Sequence, residues 1–188
     1  MKKILLALTS SLLAAAASFA SAQSIPRSEV SLGYTTVHSN APAGDCGCFY
    51  WQGGSASVAL GVAPHWSLAG SFDGFFANNQ GTSGLSPRMV TYLIGTRYDF
   101  LADTHRLVPF AKVLAGGAYA NNGYFVPADR ASAVTLKLGG GVDLSVSDHW
   151  AVRPIEVDYL WTHFNNAVNN RQNNLQLTTG IVYRFHKH

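Results

Sequence analysis

From Asn173 the chain reads NNLQLTTGIVYRF, and its side chains alternate without a break. Leu175, Leu177, Thr179, Ile181, Tyr183 and Phe185 share one parity, while Asn174, Gln176, Thr178, Gly180, Val182 and Arg184 share the other. A period of two marks a strand with one apolar and one polar face. The pattern recurs upstream. Strand one, about 29–38, sets Val30, Leu32 and Tyr34 against Glu29, Ser31 and Gly33; strand two, about 55–63, sets Val58, Leu60 and Val62 against Ser57, Ala59 and Gly61. Strand three, 66–76, opposes Leu68, Phe72 and Phe76 to Ser67, Ser71 and Asp73. Strand four, 89–100, opposes Val90, Tyr92, Ile94, Tyr98 and Phe100 to Thr91, Gly95, Arg97 and Asp99. Strand five, 107–120, has Lys112 on its polar parity. Strand six, 131–146, opposes Val134, Leu136, Leu138, Val142 and Leu144 to Thr135, Lys137, Gly139, Gly141 and Asp143. Strand seven, 150–164, sets Ile155, Val157, Tyr159 and Trp161 against Glu156, Asp158 and Thr162. Arg153 stands on the wrong parity there and Pro154 follows it, so a bulge is expected that turns Arg153 back to the polar side.

The connections between these strands alternate in length. They are long at 39–54, 78–87, 121–130 and 165–172, and short at 64–65, 101–106 and 147–149. Eight strands joined in this way predict an up-and-down antiparallel β-barrel. The first residues belong to something else. Lys2 and Lys3 precede an apolar stretch, 4–19, and Ala20-Ser21-Ala22 fits the small-residue rule for cleavage, so residues 1–22 read as a secretory signal peptide and 23–188 as the barrel.

Charge changes the picture once the signal is set aside. The chain has 13 Lys and Arg against 10 Asp and Glu. Without Lys2 and Lys3 the balance is 11 to 10, which argues against a nucleic-acid partner. Composition rich in Gly, Asn, Tyr and Phe disfavours helix, and after residue 22 no stretch reaches the ~20 apolar residues of a membrane helix.

Parity alone does not say which face points inward. A soluble lipocalin-like barrel would put the apolar face inside. Three features favour the reverse. The apolar face is nearly free of charge, whereas the other collects Glu29, Asp73, Arg97, Asp99, Lys112, Lys137, Asp143, Glu156, Asp158 and Arg184 among many Gly and Ser. Tyr34, Trp66, Tyr98, Phe100, Trp150, Trp161, Tyr183 and Phe185 fall near strand ends on the apolar face, where interfacial girdles belong. The closing TTGIVYRF, through Thr178, Gly180, Tyr183 and Phe185, resembles the C-terminal signal read by the outer-membrane assembly machinery.

On these residues, and most specifically on GGGVDLSVSDHWAVRPIEVDYLWTHF and NNLQLTTGIVYRF, the chain resembles the OmpA-like family of small eight-stranded outer-membrane β-barrels. The resemblance implies a barrel in the bacterial outer membrane, surrounded by its lipids, with a polar interior filled by side chains. It implies a role in envelope integrity or surface contact, with the short turns in the periplasm and the long loops outside. The chain departs from the family in two ways. The peptidoglycan-binding domain of larger members is expected to be absent, and His186-Lys187-His188 extends past the aromatic end.

Four groups of residues are candidates for function. The lumen charges would pair, Arg97, Lys112, Lys137 and Arg184 against Glu29, Asp99, Asp143, Glu156 and Asp158, and so plug a barrel just wide enough for side chains. A small pore is the alternative. His38 and Ser39, with His163, Glu156 and Asp158, superficially resemble the residues of lipid-modifying barrels, but no spacing supplies a nucleophile, a base and an orienting group, so no enzyme is expected. Cys46 and Cys48 would form a disulfide across one residue in an oxidising envelope. Phe49, Tyr50 and Trp51 beside them form an aromatic patch in the first long loop, available to the rim or to a surface ligand that the sequence does not name. No motif calls for a cofactor or a metal, and the chain reads as a monomer.

Overall fold

The computed structural model describes residues 28–40, 48–77, 86–101, 106–121, 130–164 and 171–185. They form eight strands: β1 (Ser28–Asn40), β2 (Cys48–Ala63), β3 (Trp66–Phe76), β4 (Arg88–Asp99), β5 (Leu107–Asn121), β6 (Arg130–Ser145), β7 (Trp150–Thr162) and β8 (Gln172–Phe185). Each pairs antiparallel with the next, and β1 pairs with β8 from Ser28↔Phe185 to His38↔Leu175, which closes the barrel. The signal-peptide boundary lies outside the described residues.

The apolar face points outward. Leu32, Ile94, Leu138 and Ile181 are exposed, Ile94 by 62%, whereas Glu29, Asp73, Lys137 and Asp143 are buried, Lys137 completely. A water-soluble barrel would reverse this. The exterior therefore suits hydrocarbon, and closure leaves no strand edge to satisfy there. At the short-turn end the expected girdle is present. Trp66 meets Tyr98 edge-on at 4.9 Å, Tyr98 meets Phe100 at 5.2 Å, and Trp150 and Phe185 each meet Tyr183 at 4.9 Å. Tyr34, by contrast, sits midway along β1.

The main departure from the sequence pattern is β2, which begins at Cys48 instead of about 55. Phe49, Tyr50 and Trp51 are not in a loop; they extend the ladder against β1 as Ser39↔Phe49, His38↔Tyr50 and Val37↔Trp51. Gly53-Gly54, read as the end of a loop, instead marks a close pass between strands: a Cβ on Gly53 would run into the backbone carbonyl of Gly74. Trp51 turns into the lumen and is buried, while Tyr50 faces outward, beside the His38 ring at 4.9 Å. Cys46 and the side chain of Cys48 fall outside the described residues, and the disulfide with them.

Two shorter features follow the sequence closely. The Pro64-His65 turn places His65 at φ 66°, a left-handed value that His tolerates better than most residues. The β7–β8 register shifts between Arg153 and Glu156, around Pro154. Arg153 is thereby turned inward and only 4% exposed.

Candidate functional site: the ion-paired lumen

Small residues on the inward face make room for long charged ones. Gly139 and Gly141 on β6 are the clearest case. A Cβ on Gly139 would collide with the Asp158 carboxylate and the Val157 carbonyl, and one on Gly141 would come within 3.0 Å of the Phe110 ring. The space they leave is filled by charge in the half of the barrel nearer the short turns.

Asp143 on β6 is the hub. Arg153 donates to it twice, Nε to Oδ1 at 2.7 Å and Nη2 to Oδ2 at 3.0 Å, in the fork geometry that guanidinium and carboxylate share. Arg97 donates from Nη2 to the same Oδ2 at 2.8 Å, from Nε to Asp99 Oδ1 at 2.8 Å, and from Nη1 to Glu29. Arg153 continues the chain with Nη1 to Glu156 Oε2 at 2.7 Å; Lys112 meets Glu156 Oε1 at 2.5 Å and lies 3.2 Å from Asp158 Oδ2. Arg184 donates to Ser145 Oγ at 2.5 Å and stands 3.9 Å from Glu29. Two guanidiniums this close would repel, and the four carboxylates around them, Glu29, Asp99, Asp143 and Glu156, offset that. Both also lie on one aromatic ring, Arg97 3.9 Å and Arg153 4.5 Å from the centre of Phe110.

Towards the long loops a second, smaller group follows. Lys137 Nζ meets Asp73 Oδ2 at 2.5 Å, and Thr91 donates to the same oxygen at 2.8 Å. Every residue expected to line the lumen with charge is therefore inward, and all but β2 of the eight strands contribute one. Phe110 and Arg153 complete the group. The sequence signal for Arg153 was the Pro that follows it; Phe110 had none, because an inward aromatic looks like any apolar residue of its strand.

Beyond Asp73 and Lys137 the lumen changes character. Val37, Trp51, Phe75, Met89, Leu93, Leu114, Leu160 and Phe164 pack there as an apolar core. Most of its polar members are engaged locally: Trp51 Nε1 donates to Ser39 Oγ at 3.0 Å, and Ser39 donates to Asn174 Oδ1 at 2.6 Å, whereas the buried Thr135 hydroxyl has no hydrogen-bond partner among the described residues. This core departs from the expectation of a polar interior throughout. Strict alternation identifies the outer face, but where both parities are apolar, as along much of β5, it cannot separate lipid-facing from inward residues.

The residues considered for catalysis are not brought together. Ser39 faces inward and is engaged by Trp51 and Asn174. His38 alternates to the other face beside Tyr50, and His163 lies 5.6 Å from the Trp161 ring. Glu156 and Asp158 lie in the charge network. Among the described residues no group of His, Cys, Asp and Glu could hold a metal ion. In the closing strand, Thr178 faces inward and donates to Thr35 at 2.9 Å, Gly180 lies opposite Gly33, and Tyr183 and Phe185 join the girdle.

The model of the outer membrane protein β-barrel domain matches residues 4–185. The chain belongs to that family. Its location is accordingly the bacterial outer membrane, in contact with membrane lipid. Among solved structures it is similar to Neisserial surface protein A, with a TM-score of 0.63 at 13% identity over 84% of this chain and 97% of that one. It is also similar to Ail, the attachment invasion locus protein of Yersinia pestis, with a TM-score of 0.59 at 15% identity over 85% of this chain and 99% of that one. OprG from Pseudomonas aeruginosa gives a TM-score of 0.55 at 11% identity, over 86% and 97%. At such identities the likeness is one of fold. No curated protein matches by sequence.

Proposed function

We propose that this barrel is a non-catalytic, monomeric envelope protein, closed along its axis by its own ion pairs, which supports the membrane and presents its long loops for surface contact. The observation that carries the reading is the Asp143 hub with its partners. Paired, buried side chains crossing the lumen favour a plug over a pore, since eight strands leave little space around them. Ail, one of the structural neighbours, has been solved with the heparin analogue sucrose octasulfate, so a barrel of this size can bind a ligand without chemistry. The long-loop end is the place proposed for such contact here, with Tyr50 and Trp51 acting as ladder residues that brace the first hairpin. The closing strand, through Thr178, Gly180, Tyr183 and Phe185, serves as the recognition segment for the assembly machinery. A disulfide between Cys46 and Cys48 would staple the tip of that hairpin.

The test is single-channel recording in planar bilayers, paired with gel mobility before and after heating. A heat-dependent mobility shift with no stepwise conductance supports the sealed barrel. Steady unit conductance from folded protein would replace this reading with a small pore, and altered lipid A masses in a strain lacking the gene would replace it with an enzyme.

A further inference from the structure

The outer wall of the barrel carries charge in a restricted place. On β4, Arg88 is exposed and shares the outward parity of Val90, Tyr92, Ile94 and Tyr98. Arg88 is registered opposite Asn121 on β5, and Asn121 opposite Arg130 on β6, which is also exposed. Three adjacent strands thus set the stems of two arginines roughly 10 Å apart with an amide between them. Arg88 lies ten residue steps from Tyr98 in the girdle of the opposite end. At about 3.3 Å per residue and a tilt of about 40°, that is roughly 25 Å, the height of the apolar band of such barrels. The outward positions between them, Val90, Tyr92, Ile94 and Thr96, hold no charge. With the short turns in the periplasm, the arginines stand at the headgroups of the outer leaflet.

Neither arginine has an ion-pair or hydrogen-bond partner among the described residues, and the side-chain oxygen of Asn121 has no hydrogen-bond partner among them either. Asp129, next to Arg130 in the chain, lies outside the described residues. The wall below Arg88 is notched. Gly74 is registered against Val90, and a Cβ there would meet nothing within 4 Å. Phe72 and Phe76 stand exposed on either side of it, and a recess of about 410 Å³ is lined by the outward Gly74, Phe76, Arg88 and Val90 together with Ser86 and the inward-parity Phe75, Ala77 and Met89. Cations without a partner among the described residues, set over an open apolar notch at the level of the headgroups, complement an anionic amphiphile.

We propose that the outer wall of β3 to β6 at the long-loop end is a binding site for a phosphorylated lipid of the outer leaflet. Arg88 and Arg130 hold phosphate oxygens, the Asn121 amide donates between them, and an acyl chain lies in the notch at Gly74. The guanidinium fork suits phosphate better than an ammonium would, because it makes two parallel hydrogen bonds and is more weakly hydrated.

The test uses folded full-length mature protein in micelles, titrated with lipid A, with dephosphorylated lipid A and with inorganic phosphate, and bound lipid is counted by native mass spectrometry. Wild type should retain lipid A on the order of tenfold better than the double variant Arg88→Gln/Arg130→Gln, with each protein first shown to be folded by its heat-dependent gel shift. Gly74→Leu, which fills the notch and leaves both charges in place, should weaken the same binding. Equal retention by wild type and the double variant would overturn the site. So would equal retention of the phosphorylated and dephosphorylated lipids, or full displacement of lipid A by inorganic phosphate. Unchanged binding by Gly74→Leu would overturn the acyl-chain seat.

Discussion

The lumen is filled twice, by opposite means. In the half nearer the short turns, Glu29, Arg97, Lys112, Asp143, Arg153 and Glu156 occupy the space as ion pairs on a bed of glycine. In the half nearer the long loops, Val37, Trp51, Phe75, Leu93, Leu114 and Leu160 fill the same cross-section as a soluble core would. Both exclude water, but they fail differently. An apolar layer loses contact area in proportion to what is removed. A charged layer holds groups whose desolvation is costly, so deleting one partner exposes the whole penalty of the others. Replacing the entire network with well-packed apolar residues would not be destabilising on these grounds, and the ion pairs are better understood as a cooperative seal than as a source of net stability.

The largest effect should follow Asp143→Ala. It leaves the buried guanidiniums of Arg97 and Arg153 without the carboxylate they share, which should cost about 3–5 kcal/mol in urea unfolding of protein refolded into vesicles. The same variant should admit water to the charged half and raise membrane conductance above the wild-type baseline. A loss below about 1 kcal/mol would mean that the hub does not hold its half of the lumen together.

Leu160→Ala probes the other half. The side chain is fully buried in the apolar core, and truncation should cost about 3 kcal/mol with no change in conductance. Leu160→Met should lie within about 1.5 kcal/mol of wild type. A conducting Leu160→Ala barrel would show that the seal lies in the apolar layer, and the contrast between the halves would be reversed.

The smallest effect concerns the ring that the two guanidiniums share. Phe110→Leu keeps an apolar residue beneath Arg97 and Arg153 but removes the aromatic face, and should cost about 1 kcal/mol. If it proves as damaging as Asp143→Ala, the ring and not the carboxylate organises the charged half.

How far the sequence reached differed between the two halves. The charged half was legible residue by residue, because a charge at the depth of the hydrocarbon has only one tolerable direction, whereas Arg88 and Arg130 at the strand ends can face outward. Arg153 was legible for the same reason despite its parity, since Pro154 supplied a way to turn it. The apolar half was hidden, because Leu114 or Leu160 can face lipid or core at equal hydrophobic gain. The extent of β2 was hidden too. Gly53 and Gly54 read as a turn, and only the proximity of β3 shows that Gly53 is small because another backbone crosses beside it.

By itself, then, the sequence determined the strand number, the alternation of loop lengths, the outward face and which charges are enclosed. These follow from period-two patterning and from the cost of charge in hydrocarbon, both of which act on each residue locally. The tertiary structure alone decided the pairing of those charges, the role of Phe110, the apolar core near the long loops and the line of Arg88, Asn121 and Arg130. Each of these depends on the register between strands, which is set by closing the barrel as a whole.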